Sequence, residues 1–325
     1  MKKHILLVFG LFVGLFPAFA QMMPDSTVQV VAYWELGDKH VYQMESAKYK
    51  VEQGDTTVVE KSAELLQFEV VAADEEKGYR IKVTSLDKQN SNPTLAAISE
   101  KMRERFGEEA YYFETSPYGE FLKGLPIEGL EEQADALVQE IAKTVQQKSP
   151  GVEADLIIPL IRQMISPETL TTAIEAEYSP LFAFHGSRLD IKGEYSFEDT
   201  IPSLIGDGVL KMDSRFWVDE ELSDEYSVVL RVFKQADEEQ TRQMLVSILG
   251  GMLQAMAPDE DARAEVEEVY KDARMSVEDY LLEEIHLGTG WPIAWRFTRE
   301  TNIEMDGKQQ GQIVVKSFEI IVEEE

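Results

Sequence analysis

Apolar and polar residues alternate with period two over much of the chain. Between positions 188 and 198, Leu189, Ile191, Tyr195 and Phe197 fall on one side, with Arg188, Asp190, Lys192, Glu194, Ser196 and Glu198 on the other. Segment 291–305 sets Trp291, Ile293, Trp295, Phe297, Ile303 and Met305 against Arg296, Thr298, Glu300, Asn302 and Glu304. At 79–85, Tyr79, Ile81 and Val83 alternate with Arg80, Lys82 and Thr84. Neighbouring side chains on a strand point to opposite faces, so these runs predict strands with one face on a core and the other in water, as in antiparallel sheets. Turn-forming residues separate the runs at Gly37-Asp38, Gly54-Asp55, Lys77-Gly78, Pro117-Tyr118-Gly119 and Asp306-Gly307.

Where the period changes to 3.6, helices are predicted. Asn92-Pro93 opens one that carries Leu95, Ile98, Met102 and Phe106 and stops at Gly107. Residues 129–147 align Leu130, Ala134, Leu137, Val138, Ile141 and Val145 on one face. Residues 152–165 are apolar but contain Pro159, which predicts a kink or break. Ser166-Pro167 starts another helix and Ser179-Pro180 ends it. Asp237 and Gln240 open 237–256 in the manner of a capping box, and Pro258 divides it from a charged helix over 259–274.

The order of elements predicts an α+β fold in which a long, curved antiparallel sheet packs on amphipathic helices. Strands, helix and hairpin recur in that order, with Tyr111–Phe121 and Tyr280–Trp295 in matching places. This points to two similar halves, 26–150 and 183–325, joined by a helical stretch over 151–182 within one domain, 21–325.

The first 20 residues stand apart. Met1-Lys2-Lys3-His4 is basic, Ile5–Phe16 is an apolar run of twelve, and Ala18-Phe19-Ala20 is a small-x-small site that predicts cleavage between Ala20 and Gln21. Twelve residues at ~1.5 Å each do not span ~30 Å of hydrocarbon, so the segment reads as an export signal, not an anchor. Export to a bacterial periplasm or the medium is the expected destination, with no transmembrane segment left after cleavage.

Charge sharpens that picture. The chain has 61 Asp and Glu against 31 Lys and Arg, and losing Lys2 and Lys3 with the signal takes the net charge from −30 to −32. Such a surface does not neutralise phosphates, so nucleic acid is not an expected partner, and it does not dock by charge on anionic lipid. Cysteine is absent, which rules out disulfides, thiolate chemistry and Cys-ligated metals. With 44% hydrophobic and 10% aromatic residues, the chain has material for a core.

No nucleophile-elbow, zincin, P-loop or complete dinucleotide-binding motif occurs, and Asp87-Lys88-Gln89-Asn90-Ser91 lacks the later positions of a calcium loop. His40, His185 and His286 are isolated in sequence; a metal or acid–base role requires the fold to bring them together. His185 and Ser187 share a strand face if that strand is regular, but the pair lacks a visible orienting carboxylate. The reading is therefore of a non-enzymatic protein with no cofactor and no metal. Acidic runs such as Asp74-Glu75-Glu76 and Asp259-Glu260-Asp261 read as solvated surface.

The compositional oddity is methionine, which adapts to irregular shapes and is common on promiscuous apolar surfaces. Met102, Met244, Met252 and Met256 on helical faces, with Phe68, Phe197, Phe216, Trp295 and Phe297 on strands, are the candidate lining of a cavity between sheet and helices.

Three motifs carry a family likeness: Gly37-Asp38-Lys39-His40-Val41-Tyr42, Phe113-Glu114-Thr115-Ser116-Pro117-Tyr118-Gly119-Glu120 and Thr289-Gly290-Trp291-Pro292-Ile293. In these the chain resembles a family of bacterial exported proteins known as a domain of unknown function, many of them lipoproteins; it departs from those in lacking the anchoring Cys. In architecture it is also similar to periplasmic lipoprotein carriers, whose curved sheet covers helices and holds acyl chains. The resulting expectation is an envelope protein that binds a lipid or other apolar molecule between sheet and helices. The alternative is an envelope structural or interaction module that uses strand edges or its acidic face on a protein partner.

Overall fold

The computed structural model describes residues 26–127, 129–148, 158–159, 161–162, 165–202, 209–219, 226–246, 273–305 and 307–321. The segment read as an export signal with its expected Ala20–Gln21 cut, most of 152–165, Met252, Met256 and nearly all of 259–274 lie outside these residues.

The chain opens with β1 (Thr27–Gln29), β2 (Lys39–Glu52), β3 (Asp55–Asp74) and β4 (Gly78–Asn90). Helix α1 (Pro93–Phe106) leads to the hairpin β5 (Ala110–Thr115) and β6 (Phe121–Gly124). Helices α2 (Leu130–Lys148) and α3 (Pro167–Tyr178) follow, and α3 tightens into a 3-10 turn, Ser179–Phe182. Then come β7 (Arg188–Asp190), β8 (Glu194–Pro202), β9 (Val209–Val218), β10 (Ser227–Ala236), β11 (Arg274–His286), β12 (Pro292–Met305) and β13 (Lys308–Ile321). Eleven strands form one antiparallel sheet in the order β6-β5-β4-β3-β2-β13-β12-β11-β10-β9-β8, while β1 and β7 pair separately. The fold is α+β, as the alternation predicts.

Local chemistry sets the helix ends. The Asn92 side chain accepts the Thr94 N–H at 3.0 Å, Pro93 fills the first helical position, and Gly107 closes α1 by donating to the Arg103 carbonyl at 2.8 Å. Ser166 accepts the Thr169 N–H at 3.1 Å at the start of α3.

Two local expectations give way, and a third holds. The run 188–198 is not one strand: Gly193 N–H turns back to the Asp190 carbonyl at 2.9 Å, β7 joins β1, and β8 joins β9. The Tyr195 ring packs over Gly193, where a Cβ would lie 2.9 Å from it, so the turn preserves the alternation while breaking the strand. Ser179-Pro180 does end α3, with Ser179 as its C-cap, and the chain tightens there into the 3-10 turn, where a proline has no intrahelical N–H to lose. Asp237 and Gln240 do not close a reciprocal box. Asp237 accepts the Gln240 N–H at 2.8 Å, but the Gln240 side chain takes the Lys211 N–H, also at 2.8 Å, and so staples the helix start to β9.

The two proposed halves meet where β2 pairs with β13. The hairpin β5–β6 closes one edge of the sheet whereas β11–β12 lies inside it, so these hairpins do not hold matching places.

One face of the sheet carries the core. Around β2–β5 it is filled by Tyr42, Leu66, Phe68, Ile81 and Phe113, packed under Tyr178, Leu181 and Phe182. A second cluster joins Val28 and Val30 to Leu189, Val218, Leu230 and Ile285, and a third lies around Met212, Leu245, Met275 and Val277. The segment from β1 to Trp34 is laced between turns: Ala32 N–H donates to Tyr118 O, Tyr33 N–H to Thr289 O, and Gly186 N–H to Val30 O, at 3.0, 3.0 and 2.8 Å. The second and third family-like motifs are therefore the turns that grip this segment. The first joins it to β3, with Gly37 N–H on Val70 O at 2.9 Å.

Candidate functional site

The segment 176–184 presents different residues to its two sides. Tyr178, Leu181 and Phe182, spaced three and four apart, fill the core beside β2–β5. Ala176, Ser179, Pro180 and Ala183 fall on another side and are small. Opposite them, β8–β13 present Phe197, Phe216, Leu281, Trp295 and Phe297. Small residues above and widely spaced rings below leave a cavity of about 690 Å³, open to solvent and apolar over most of its lining. That volume lies within the range of ligand pockets, about 300–1,000 Å³.

Strand geometry fixes the floor. Trp295 and Phe297, two apart on β12, share a face and lie nearly parallel with centroids 6.0 Å apart. Phe216 stacks on its cross-strand neighbour Tyr195 at 4.4 Å and meets Phe197 edge-on at 6.2 Å. Phe184 closes one wall against Phe216 at 5.8 Å.

Three cations line the cavity, and each has a carboxylate. Arg299 forks onto Asp279, itself buried, with both contacts at 2.7 Å. Lys316 reaches Glu177 at 2.6 Å, and Lys234 bonds Asp199. The Arg299 guanidinium also lies 5.6 Å from the Phe297 ring centre. The cavity is thus apolar with closed ion pairs around it, and among the described residues it offers no uncompensated cation to an anionic ligand.

Of the nine residues expected to line a cavity, Phe197, Phe216, Trp295 and Phe297 come together here. Phe68 does not: it is fully buried in the filled core, in edge contact with Tyr42, Phe113 and Tyr178. Met102 lines a separate recess of about 570 Å³ between α1 and the β5–β6 region. Met244 packs on the third core cluster, and Met252 and Met256 lie outside the described residues. Among the described residues the cavity floor is aromatic, and neither Met102 nor Met244 lines it.

His40, His185 and His286 all meet one turn, 286–291, without forming a common centre. His40 packs against the Trp291 ring at 4.8 Å, and His286 Nδ1 lies 2.9 Å from Thr289 Oγ1. His185 Nε2 lies 2.7 Å from the Gly290 carbonyl, which only accepts, so this nitrogen carries the proton. Burial lowers the His185 pKa to about 4, against the opposing effect of that carbonyl, and the ring is neutral. Ser187 lies on the cavity, but among the described residues no carboxylate bonds His185. Among the described residues no group of three metal-ligating side chains converges.

One residue escaped the sequence reading. Glu283 is fully buried on β11, and neither carboxyl oxygen has a hydrogen-bond partner among the described residues. It shares strand parity with Val277, Leu281 and Ile285, so an acid in the inward row of β11 was the available signal. Burial pushes its carboxyl well above the ordinary range, which favours the neutral acid over the carboxylate.

No protein-family model matches the chain, and no curated protein does. Among solved structures it is distantly similar to lipovitellin, in a structure of lipid–protein interactions in that protein. The match covers 89% of this chain and 25% of the lipovitellin chain, at 7% identity and a TM-score of 0.41. A second match is Ail, the attachment invasion locus protein of Yersinia pestis, covering 88% of this chain and 100% of Ail at 5% identity and a TM-score of 0.16. The chain spans about a quarter of the lipovitellin chain. At these scores neither likeness bears on what the chain binds. No described helix is long and apolar enough to cross a membrane.

Proposed function

We propose that the protein is an exported, non-enzymatic binding protein that holds an apolar ligand, or the acyl part of a lipid, in the cavity between β8–β13 and the segment 176–184. The observation that carries this reading is the cavity itself: about 690 Å³, floored by Phe197, Phe216, Trp295 and Phe297 and roofed by small side chains. An aqueous cleft of that composition gains roughly 25 cal/mol for each Å² of apolar surface a ligand covers. The closed ion pairs around it favour a ligand without net negative charge.

Native mass spectrometry of protein purified from its own cells, followed by solvent extraction, tests the reading. A co-purifying apolar molecule whose release follows Phe297→Asp supports it. A bare polypeptide mass, together with no uptake of an added long-chain lipid, overturns it. The alternative of a protein partner draws support from β8, which ends the sheet and carries the exposed Phe197. Crosslinking in cells, with and without substitutions in β8, tests that alternative.

A further inference from the structure

Glu283 and Trp295 stand directly opposite each other in the β11–β12 register, on the same face of the sheet. The Trp295 Nε1–H, like both Glu283 oxygens, is buried and meets no hydrogen-bond partner among the described residues. Trp295 lines the cavity, and so does Leu281, the next inward residue to Glu283 on β11. Phe184, a cavity wall, packs on the cluster that holds Leu230, the cross-strand neighbour of Glu283 on β10. The acid therefore lies one residue past the cavity floor. An indole N–H only donates, and a neutral carboxylic acid has an O–H to donate. Buried polar groups with no partner are costly, and two side by side mark a place built for a partner.

We infer that Glu283 and Trp295 together seat the carbonyl oxygen of an acyl ester or amide whose chain lies in the cavity. This rests on the binding reading above and narrows it. A carbonyl oxygen has two lone pairs and takes both donors. A carboxylate headgroup is disfavoured because the cations lining the cavity are already paired. With the side chains as they stand, none of the three polar atoms of Glu283 and Trp295 is exposed to the cavity. Seating the carbonyl therefore requires the Trp295 ring to turn.

Two lipids differing only in that carbonyl test the inference: radiolabelled monopalmitoylglycerol and its hexadecyl ether analogue, bound to the full chain and followed by gel filtration. Two net hydrogen bonds predict about tenfold tighter binding of the ester. Glu283→Leu and Trp295→Phe, made separately, each shrink that ester-to-ether ratio, whatever each does to ether binding itself. The infrared band of a ¹³C-labelled ester carbonyl shifts to lower frequency in the wild-type complex and less in Glu283→Leu. Equal binding of ester and ether by the wild type, or an undiminished preference in Glu283→Leu, overturns the inference while the cavity reading stands. If the wild type takes up neither lipid, the cavity reading itself falls. Should Glu283→Leu fail to fold, Trp295→Phe and the infrared band decide.

Discussion

The two ends of the large sheet use the same alternation and end differently. At β2–β5 the inward row of Tyr42, Leu66, Phe68, Ile81 and Phe113 is sealed by Tyr178, Leu181 and Phe182. At β8–β13 an equally aromatic row faces Ala176, Ser179, Pro180 and Ala183 and stays open. Both sets of covering residues come from one stretch of nine residues, 176–184. What separates a core from a binding cavity here is the side-chain size on two sides of one helical segment, not the hydrophobicity of the sheet. Filling a core is a matter of volume, and period-two patterning is blind to volume.

The sharpest way to break the comparison is the same substitution at both ends. Phe68→Ala removes a fully buried ring that touches three others, and is expected to cost about 3–5 kcal/mol in urea unfolding. A cost below 1 kcal/mol would mean that this end is no better filled than the cavity. Next in size is the turn that both ends share. Gly290 has φ +75°, and an added Cβ would lie 2.3 Å from the Val31 carbonyl oxygen and 2.8 Å from the Ala32 Cα. Gly290→Ala is expected to cost about 2–4 kcal/mol through backbone strain and overpacking. It should also raise proteolysis of the segment 26–38, which that turn grips, and unchanged thermal stability would count against this account.

The difference between the ends also marks how far the sequence could be read. The α+β class, the bounds of α1 and the hairpin turns were legible because a cap, a proline or a glycine acts within a few residues. Four cavity rings were legible as inward strand positions. The split of 188–198 was not, since the Tyr195–Gly193 contact keeps parity across a turn. Phe68 could not be told from Phe297 by pattern, because each is an inward aromatic and only the residue above it differs. The pairing of β2 with β13 and the meeting of three histidines at 286–291 depend on long-range order that no local signal carries. Glu283 was visible as an acid in an apolar row, but in a chain with 61 acids that parity has to be sought.

Titration sharpens the comparison, because two fully buried groups near the junction of the ends pull in opposite directions. Glu283 has a native pKa well above its ordinary 4.5, so its stabilising protonated form is complete below 4.5, and that contribution is lost as pH rises above it. His185 has a native pKa of about 4 against an ordinary 6.5, so its contribution is complete above 6.5 and lost as pH falls towards 4. Each slope is about 1.4 kcal/mol per pH unit. Above 4.5 the Glu283 decline is set against the His185 rise, which predicts a flatter profile of unfolding free energy than either group alone would give. Glu283→Leu should remove that decline and leave stability rising from pH 4 to 6.5. A wild-type decline above pH 6.5 that survives the substitution would assign the slope to other groups.

The smallest expected effect on stability is at the rim, where binding and folding should separate. Phe197 is 43% exposed and touches Phe216 edge-on, so Phe197→Ala gives up little buried area and is expected to cost about 1 kcal/mol or less. A chain seated in the cavity covers that ring, so the same substitution should weaken lipid uptake several-fold, well beyond its effect on folding. Phe68→Ala should do the reverse, lowering stability steeply while molecules that remain folded bind as before. If Phe197→Ala leaves uptake unchanged while Phe297→Ala abolishes it, the ligand occupies only the β12 side of the cavity and β8 is free to serve as an edge. If both leave it unchanged, the open end of the sheet holds no ligand, and its difference from the filled end needs another explanation.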